Sequence, residues 1–399
     1  MSTASAFDPS APQPDPAAQP PSAPASTTPA STTSASTTLP AERIRVRAAL
    51  DSLPAYVAGK QAPDDGVRRF KISSNESPFP PVETVREAAV AALGEAHRYP
   101  DAAAQALREA LGAEHGVEPS RIALSTGSVA VTGDLVRALV DQGDEVVYAW
   151  RSFEAYPILV GSHGGTPVQV PVTARGEHDL EAMAKAITER TRLVLLCTPN
   201  NPTGPSLSTA DVEEFLTRVP EHVVVAIDEA YREFHDPATV LDSAGILARH
   251  GNVVLLRTFS KLQGLAGLRI GYAIAHPRLA RALSQVTLPF GASRPAQAAA
   301  LATLQPEARA VLDRRAAWIR TERDRVAAAL AEQGWDLPVT QGNFIYFPLG
   351  EQSQDFAAFA DARGLVLRAY GADGVRATIA EPEASDLLID IAAAWREHS

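Results

Sequence analysis

A single cysteine, Cys197, stands among 399 residues, so no disulfide can close within the chain. At the end of an apolar stretch it reads as a buried apolar filler. No apolar run approaches membrane-spanning length, which leaves no candidate transmembrane helix. Positive charge is scarce as well. With 36 Lys and Arg against 47 Asp and Glu, a net charge of -11 argues against nucleic acid or an anionic membrane surface as partner. The nine histidines show no paired spacing with cysteine or carboxylate, so no metal is expected. The glycines from Gly264 to Gly271 lack dinucleotide-fingerprint spacing, and no P-loop is present. There are no internal repeats.

The first 42 residues lack Lys and Arg altogether and are dominated by Ala, Ser, Thr, Pro and Gln. Such a segment cannot bury enough apolar surface to offset chain entropy, and a disordered tail over 1–42 is expected. It has neither the early positive charge nor the apolar or amphipathic stretch of a leader, so the expected location is the cytoplasm. The whole chain is 45% hydrophobic, with 25 Gly and four Trp, ample for a two-domain α/β core.

Three apolar stretches carry the chemistry. Leu193 to Cys197 breaks into the turn Thr198-Pro199-Asn200-Asn201-Pro202-Thr203-Gly204. Val223 to Ile227 ends in Asp228-Glu229-Ala230-Tyr231, and Val253 to Leu256 runs into Arg257-Thr258-Phe259-Ser260-Lys261. Each reads as a buried strand whose carboxyl end delivers polar groups, the place where open α/β sheets bind ligands. Singly, Asp228 could cap a helix and Asn201 could form a turn. An amide, a carboxylate, a phenol and an amine on one rim are what an electron-sink cofactor of the pyridoxal phosphate kind requires. Lys261 is the primary amine that can condense with the cofactor aldehyde and then carry the substrate α-proton. Asp228 is the carboxylate that keeps a pyridine nitrogen protonated, while Asn201 and Tyr231 can hydrogen-bond the ring oxygen. Thr258, Ser260 and Arg269 supply hydroxyls and a guanidinium for its phosphate.

In these segments the chain resembles the fold-type I pyridoxal phosphate enzymes, and within them the histidinol-phosphate aminotransferase group, from about Phe70 to the C-terminus. The stretches Ser73-Ser74-Asn75-Glu76-Ser77-Pro78-Phe79, Gly127-Ser128-Val129-Ala130, Trp150 to Pro157 and Gln341-Gly342-Asn343-Phe344 are most similar to the actinobacterial aromatic amino acid (phenylalanine) aminotransferases. The resemblance implies that Phe153 stacks on the pyridine ring and that Ser128 and Val129 give backbone N–H groups to the phosphate. It implies further that Tyr99 reaches the cofactor phosphate of a neighbouring subunit in a homodimer. Arg376 would clamp the substrate α-carboxylate with Arg368 nearby, and Asn75 and Asn343 would face substrate. Gly127-Ser128 precedes the amphipathic pattern Val129, Leu135, Val136, Leu139 and Val140, so a helix N-terminus would point free amides at the phosphate. Leu262-Gln263 and Gly291-Ala292-Ser293-Arg294 depart from the pattern of relatives, near the expected substrate side.

The implied fold is α/β: a large domain with a mostly parallel sheet flanked by helices, plus a smaller α/β domain. Its expected divisions are a tail over 1–42, an N-terminal segment over 43–74 packing on the small domain, a cofactor-binding domain over 75–290 and a C-terminal domain over 291–399. Ile44 to Leu53 reads as a short helix and Pro306 to Gln333 as a long one. The implied activity is transfer of the amino group of phenylalanine, tyrosine or tryptophan to 2-oxoglutarate by a ping-pong mechanism. Histidinol-phosphate transamination, a threonine-phosphate decarboxylase and a non-catalytic regulator on the same scaffold remain as alternatives. The regulator is disfavoured by an N-terminus without basic residues.

Overall fold

The sheet that carries the site owes its position to a two-residue alternation along its strands. The computed structural model describes residues 46–51, 53, 55 and 69–398. The expected tail over 1–42, and the first residues of the helix expected from Ile44, lie outside the described residues. The described residues hold twelve strands: β1 (Phe70–Lys71), β2 (Ile122–Ser125), β3 (Glu145–Trp150), β4 (Thr166–Pro171), β5 (Thr191–Cys197), β6 (Val224–Asp228), β7 (Val253–Thr258), β8 (Gly271–Ile274), β9 (Phe344–Phe347), β10 (Leu365–Val366), β11 (Arg368–Ala369) and β12 (Val375–Thr378). Seven of them form one sheet in the order β2-β8-β7-β6-β5-β3-β4, parallel except for the antiparallel β8.

Both faces of this sheet are covered, and strand residues alternate between them. Leu193, Leu195, Ala226, Val254 and Leu256 pack on one side with Val131, Leu135, Tyr156, Val160 and Leu283. The last five belong to helices α3 (Ser128–Leu139), α4 (Ala155–Ser162) and α8 (Pro277–Val286). Val194, Leu196, Val225, Ile227, Val253 and Leu255 face the other way, into the larger core with Met183, Phe215 and Ile246. These three lie on α5 (Leu180–Lys185), α6 (Thr209–Leu216) and α7 (Ser243–Arg249). Near-continuous apolar strands are the consequence of burial on both faces.

The remaining helices are α1 (Glu83–Leu93), α2 (Gln105–His115), α9 (Arg294–Thr303), α10 (Pro306–Glu332), α11 (Ser353–Asp361) and α12 (Pro382–His398). Helix α9 packs on α1 and α2. The expected long helix ends one residue early, with proline at its first turn, where a missing N–H costs nothing. A second, antiparallel sheet has the order β11-β12-β9. It packs with α11 and α12 around Trp335, Phe347, Phe356 and Trp395. The N-terminal stretch divides its contacts. Ala48–Leu50 form one 3-10 turn beside α4, with Arg47 donating to the Ser162 carbonyl at 2.7 Å, while β1 pairs in parallel with β10. The described residues from Arg47 onward make one compact unit that contains all three sheets.

Candidate active site

Five strands of the large sheet end at one edge, and the chain leaving each of them meets β11 and β12 across a cavity of about 240 Å³. Ser128 and Val129 follow β2, Phe153 follows β3, Asn201 follows β5, Asp228 ends β6 with Tyr231 beyond it, and Thr258, Ser260 and Lys261 end or follow β7. All of these line the cavity together with Arg269, Arg368 and Arg376.

At one end the groups suit a phosphate. Gly127, at φ 99°, sits before α3 in a conformation that L side chains rarely adopt, and turns the first amides of that helix toward the cavity. Gly271 lets β8 pass close beneath them, since a Cβ there would lie 2.6 Å from the Ser128 nitrogen. Arg269 Nη1 donates to Ser260 Oγ at 3.3 Å, and Thr258 Oγ1 accepts from the Ser260 N–H at 3.1 Å.

Asp228 lies on the floor, 4% exposed. Burial pushes its carboxyl up to about 6, against a hydrogen bond from Tyr156 that lowers it. Tyr156 donates to Asp228 Oδ2 at 2.8 Å. Phe153 meets the Tyr156 ring edge-on at 5.5 Å. Opposite, Lys261 Nζ donates to the Asn75 carbonyl at 3.3 Å and lies 5.3 Å from the centre of the Tyr231 ring. Burial first, and then the Arg376 guanidinium, bring the Lys261 ammonium down to about 7. Burial also raises the Tyr231 phenol, which accepts a hydrogen bond from Asn75 Nδ2 at 3.1 Å.

Arg376 donates to Asn201 Oδ1 and, at 2.8 Å, to the Ser73 carbonyl, while its buried Nε has no hydrogen-bond partner. A guanidinium held by uncharged acceptors with a buried donor to spare is suited to an incoming carboxylate. Arg368 is instead paired with Glu154 at 2.7 Å.

Three of the expected site residues do not line this cavity. Asn75 and Asn343 are fully buried behind its wall. The Asn75 side chain is used internally, donating to Tyr231 and accepting from Thr378 Oγ1 at 3.0 Å, and Asn343 Nδ2 reaches the Asn75 carbonyl at 3.5 Å. Tyr99 is 77% exposed and stacks on Phe290 at 4.6 Å, away from its own chain's cavity. The departures from the relatives' pattern also fall outside the lining. Leu262 is buried in the core, Gln263 Nε2 donates to Glu233 at 3.3 Å, and Ser293 caps α9. Sequence reasoning missed Tyr156, Glu154 and Tyr370. The first two sit inside the Trp150–Pro157 motif, but nothing in their spacing points to Asp228 or Arg368. A buried network supports the Asn201 turn: Asn200 Oδ1 accepts from Ser152 Oγ at 2.7 Å, and Asn200 Nδ2 donates to Thr203 Oγ1 at 2.7 Å.

The donor set fits pyridoxal phosphate: helix amides, a hydroxyl and a guanidinium for the phosphate, a buried carboxylate for the ring nitrogen, and an amine brought close to neutrality for the aldehyde. Among the described residues no cluster of His, Cys, Asp and Glu could hold a metal ion, and no helix is long and apolar enough to cross a membrane.

The sequence pattern of the family described as aminotransferase class I and II matches residues 68–387. The aromatic amino acid aminotransferase of Streptomyces avermitilis is 48% identical over 353 residues, covering 88% of this chain and 98% of that protein. Its counterpart in Rhodococcus opacus is 46% identical, with 89% and 97% covered. The crystal structure of histidinol-phosphate aminotransferase from Sinorhizobium meliloti in complex with pyridoxal-5'-phosphate superposes with a TM-score of 0.80 at 29% identity, covering 89% of this chain and 98% of that one. The chain belongs to the class I and II aminotransferases.

Proposed function

We propose that this protein transfers the amino group of aromatic amino acids to a 2-oxo acid, with 2-oxoglutarate as acceptor, by a ping-pong mechanism. The observation that carries the reading is the 48% identity to an aromatic amino acid aminotransferase across nearly the whole of that relative. The cofactor is pyridoxal phosphate, whose aldehyde takes up the amino group and whose ring takes up the charge left when the α-proton departs. Ser128 and Val129 N–H groups, Thr258, Ser260 and Arg269 would hold its phosphate. Phe153 would stack on the ring, Asp228 would keep the ring nitrogen protonated, and Asn201 and Tyr231 would bind the ring oxygen.

Lys261 would anchor the cofactor and then move the proton. With its ammonium brought down to about 7 in the cofactor-free protein, Lys261 is readily available as the neutral amine that condenses with the cofactor aldehyde, and its freed Nζ would take the α-proton and return it. Arg376 would bind the α-carboxylate in both half-reactions. Asn75 and Asn343 act from behind, by fixing Tyr231 and the carbonyl that Lys261 contacts.

The same reading divides the chain into a cofactor-holding part over 75–290 and a smaller part over 291–399. It also includes a homodimer working in the cytoplasm. Tyr99, Leu288 and Phe290, exposed at 77%, 70% and 44%, are the residues offered to a second copy, whose cofactor phosphate Tyr99 would reach.

A steady-state panel of phenylalanine, tyrosine, histidinol phosphate and threonine phosphate against several 2-oxo acids tests the substrate. An apolar ring needs no counter-charge, whereas a phosphate dianion needs dedicated cations to offset its desolvation. Aromatic donors are therefore expected to lead in kcat/KM. A tenfold preference for histidinol phosphate overturns the aromatic reading and leaves the aminotransferase standing, and release of carbon dioxide from threonine phosphate points to the lyase.

A further inference from the structure

Arg368 and Arg376 stand directly opposite each other across the β11–β12 ladder, and both line the cavity. Like charges in cross-strand register are destabilising unless each is compensated. The two are compensated differently. Arg376 has uncharged acceptors only, while Arg368 Nη2 donates to Glu154 Oε2 at 2.7 Å. Glu154 occupies the N-cap position of α4, where a short side chain would ordinarily cap the helix, but makes no capping hydrogen bond. Its carboxylate is committed to Arg368 instead.

Two further features bear on what this pair does. At side-chain exposures of 10% and 25%, Arg368 and Glu154 are sheltered enough to interact strongly and open enough to be reached by solute. A second ion pair, Arg151 with Asp373, joins the same two chain segments nearby, with Arg151 also lying 4.3 Å over the Trp150 ring. The Glu154 contact is thus not the only tie between them. Tyr370, 5.3 Å from the Arg368 guanidinium, gives the cavity an aromatic face beside the pair.

We propose that Glu154 is a specificity-determining residue, an exchangeable counter-ion that a second anionic group on a substrate must displace to reach Arg368. The inference rests on the amino-transfer reading above. An uncharged aromatic side chain can lie against Tyr370 and leave the pair closed. The distal carboxylate of a dicarboxylate gains Arg368 only by displacing Glu154, so the protein ranks substrates by side-chain charge.

The test is calorimetric titration of the cofactor-loaded enzyme with two unreactive carboxylates, glutarate and 3-phenylpropionate. The wild type is compared with Glu154→Gln and Glu154→Ala, so that whichever variant folds gives the answer. With the counter-ion gone, glutarate affinity is expected to rise about 10-fold or more relative to 3-phenylpropionate, the scale of one hydrogen bond to a charged group. The gain is expected to vanish in Glu154→Gln combined with Arg368→Gln. An unchanged ratio of the two affinities, a parallel loss for both ligands, or a gain that survives removal of Arg368 overturns the proposal. Because neither ligand reacts, the outcome is separate from the donor panel: absence of aromatic turnover would sink the functional reading without touching this ratio.

Discussion

The floor of the cavity and its outer wall are built by different rules. The floor comes from ends of parallel strands, where Asp228 ends β6 and Asn201 and Lys261 follow β5 and β7 within a few residues, so short-range sequence dictates what sits there. The wall is made of pairs distant in the chain: Arg368 with Glu154, 214 residues apart, and Arg376 with the Ser73 carbonyl, 303 apart, with Arg151 and Asp373, 222 apart, tying the same segments outside the lining. The floor carries groups suited to the reaction shared by a family, and the wall carries groups suited to choosing among substrates. Changes to the floor should therefore alter turnover for every substrate, and changes to the wall should alter how substrates are bound, Arg376 for all of them and Arg368 according to side-chain charge.

The largest effect is expected at Lys261. Lys261→Ala removes the amine proposed to anchor the cofactor and move the proton, and turnover should fall to background for all donors, with no cofactor fixed to the chain by borohydride. Cofactor still fixed covalently in that variant would refute the assignment. Asp228→Ala comes next. Loss of the counter-charge should slow every donor by about two orders of magnitude or more, ~2.7 kcal/mol in the barrier, with cofactor binding less affected. A variant that kept more than about a tenth of kcat, ~1.4 kcal/mol, would mean that another carboxylate serves the ring.

Arg376 tests the wall. Arg376→Ala should raise KM for amino donor and oxo acid together by about 1.5–3 kcal/mol equivalent, as expected for a lost hydrogen bond between charged groups. An increase confined to one of the two substrates would show that the α-carboxylate is held elsewhere and would blur the division between floor and wall.

What could be read from the sequence follows the same line. Apolar strands that break into Pro199-Asn200-Asn201, Asp228 and Ser260-Lys261 announce themselves because strand, turn and functional group are contiguous. Gly127 before the pattern of α3 is legible for the same reason. The pairing of Glu154 with Arg368 is not, because it depends on how two segments pack and not on either one's periodicity. Asn75 and Asn343 sit in recognisable motifs, yet only the packing shows that their amides are consumed by Tyr231, Thr378 and a backbone carbonyl and do not face the cavity.

Tyr156 sharpens the comparison, because it belongs to the floor but reaches Asp228 from 72 residues away. Its effect should be the smallest of the series and should depend on pH. In the cofactor-free protein the Asp228 carboxyl, ordinarily near 3.8, is raised to about 6 by burial, while the Tyr156 hydrogen bond pulls it down. A carboxyl raised on folding binds more protons in the native state. Its contribution to stability is therefore present below the unfolded value and lost as pH rises through the folded one. Tyr156→Phe removes the group that best stabilises the ionised carboxylate, so the folded value should move further up. At about pH 4, where Asp228 is protonated in both proteins, variant and wild type should differ little. Above about pH 6 the variant should be weaker by about 1 kcal/mol, the size of one buried hydrogen bond. Urea denaturation of the two cofactor-free proteins between about pH 4 and 8 measures the difference. A deficit that is the same at every pH would mean that Tyr156 supports the floor by packing alone, and that the tuning of Asp228 lies with other groups.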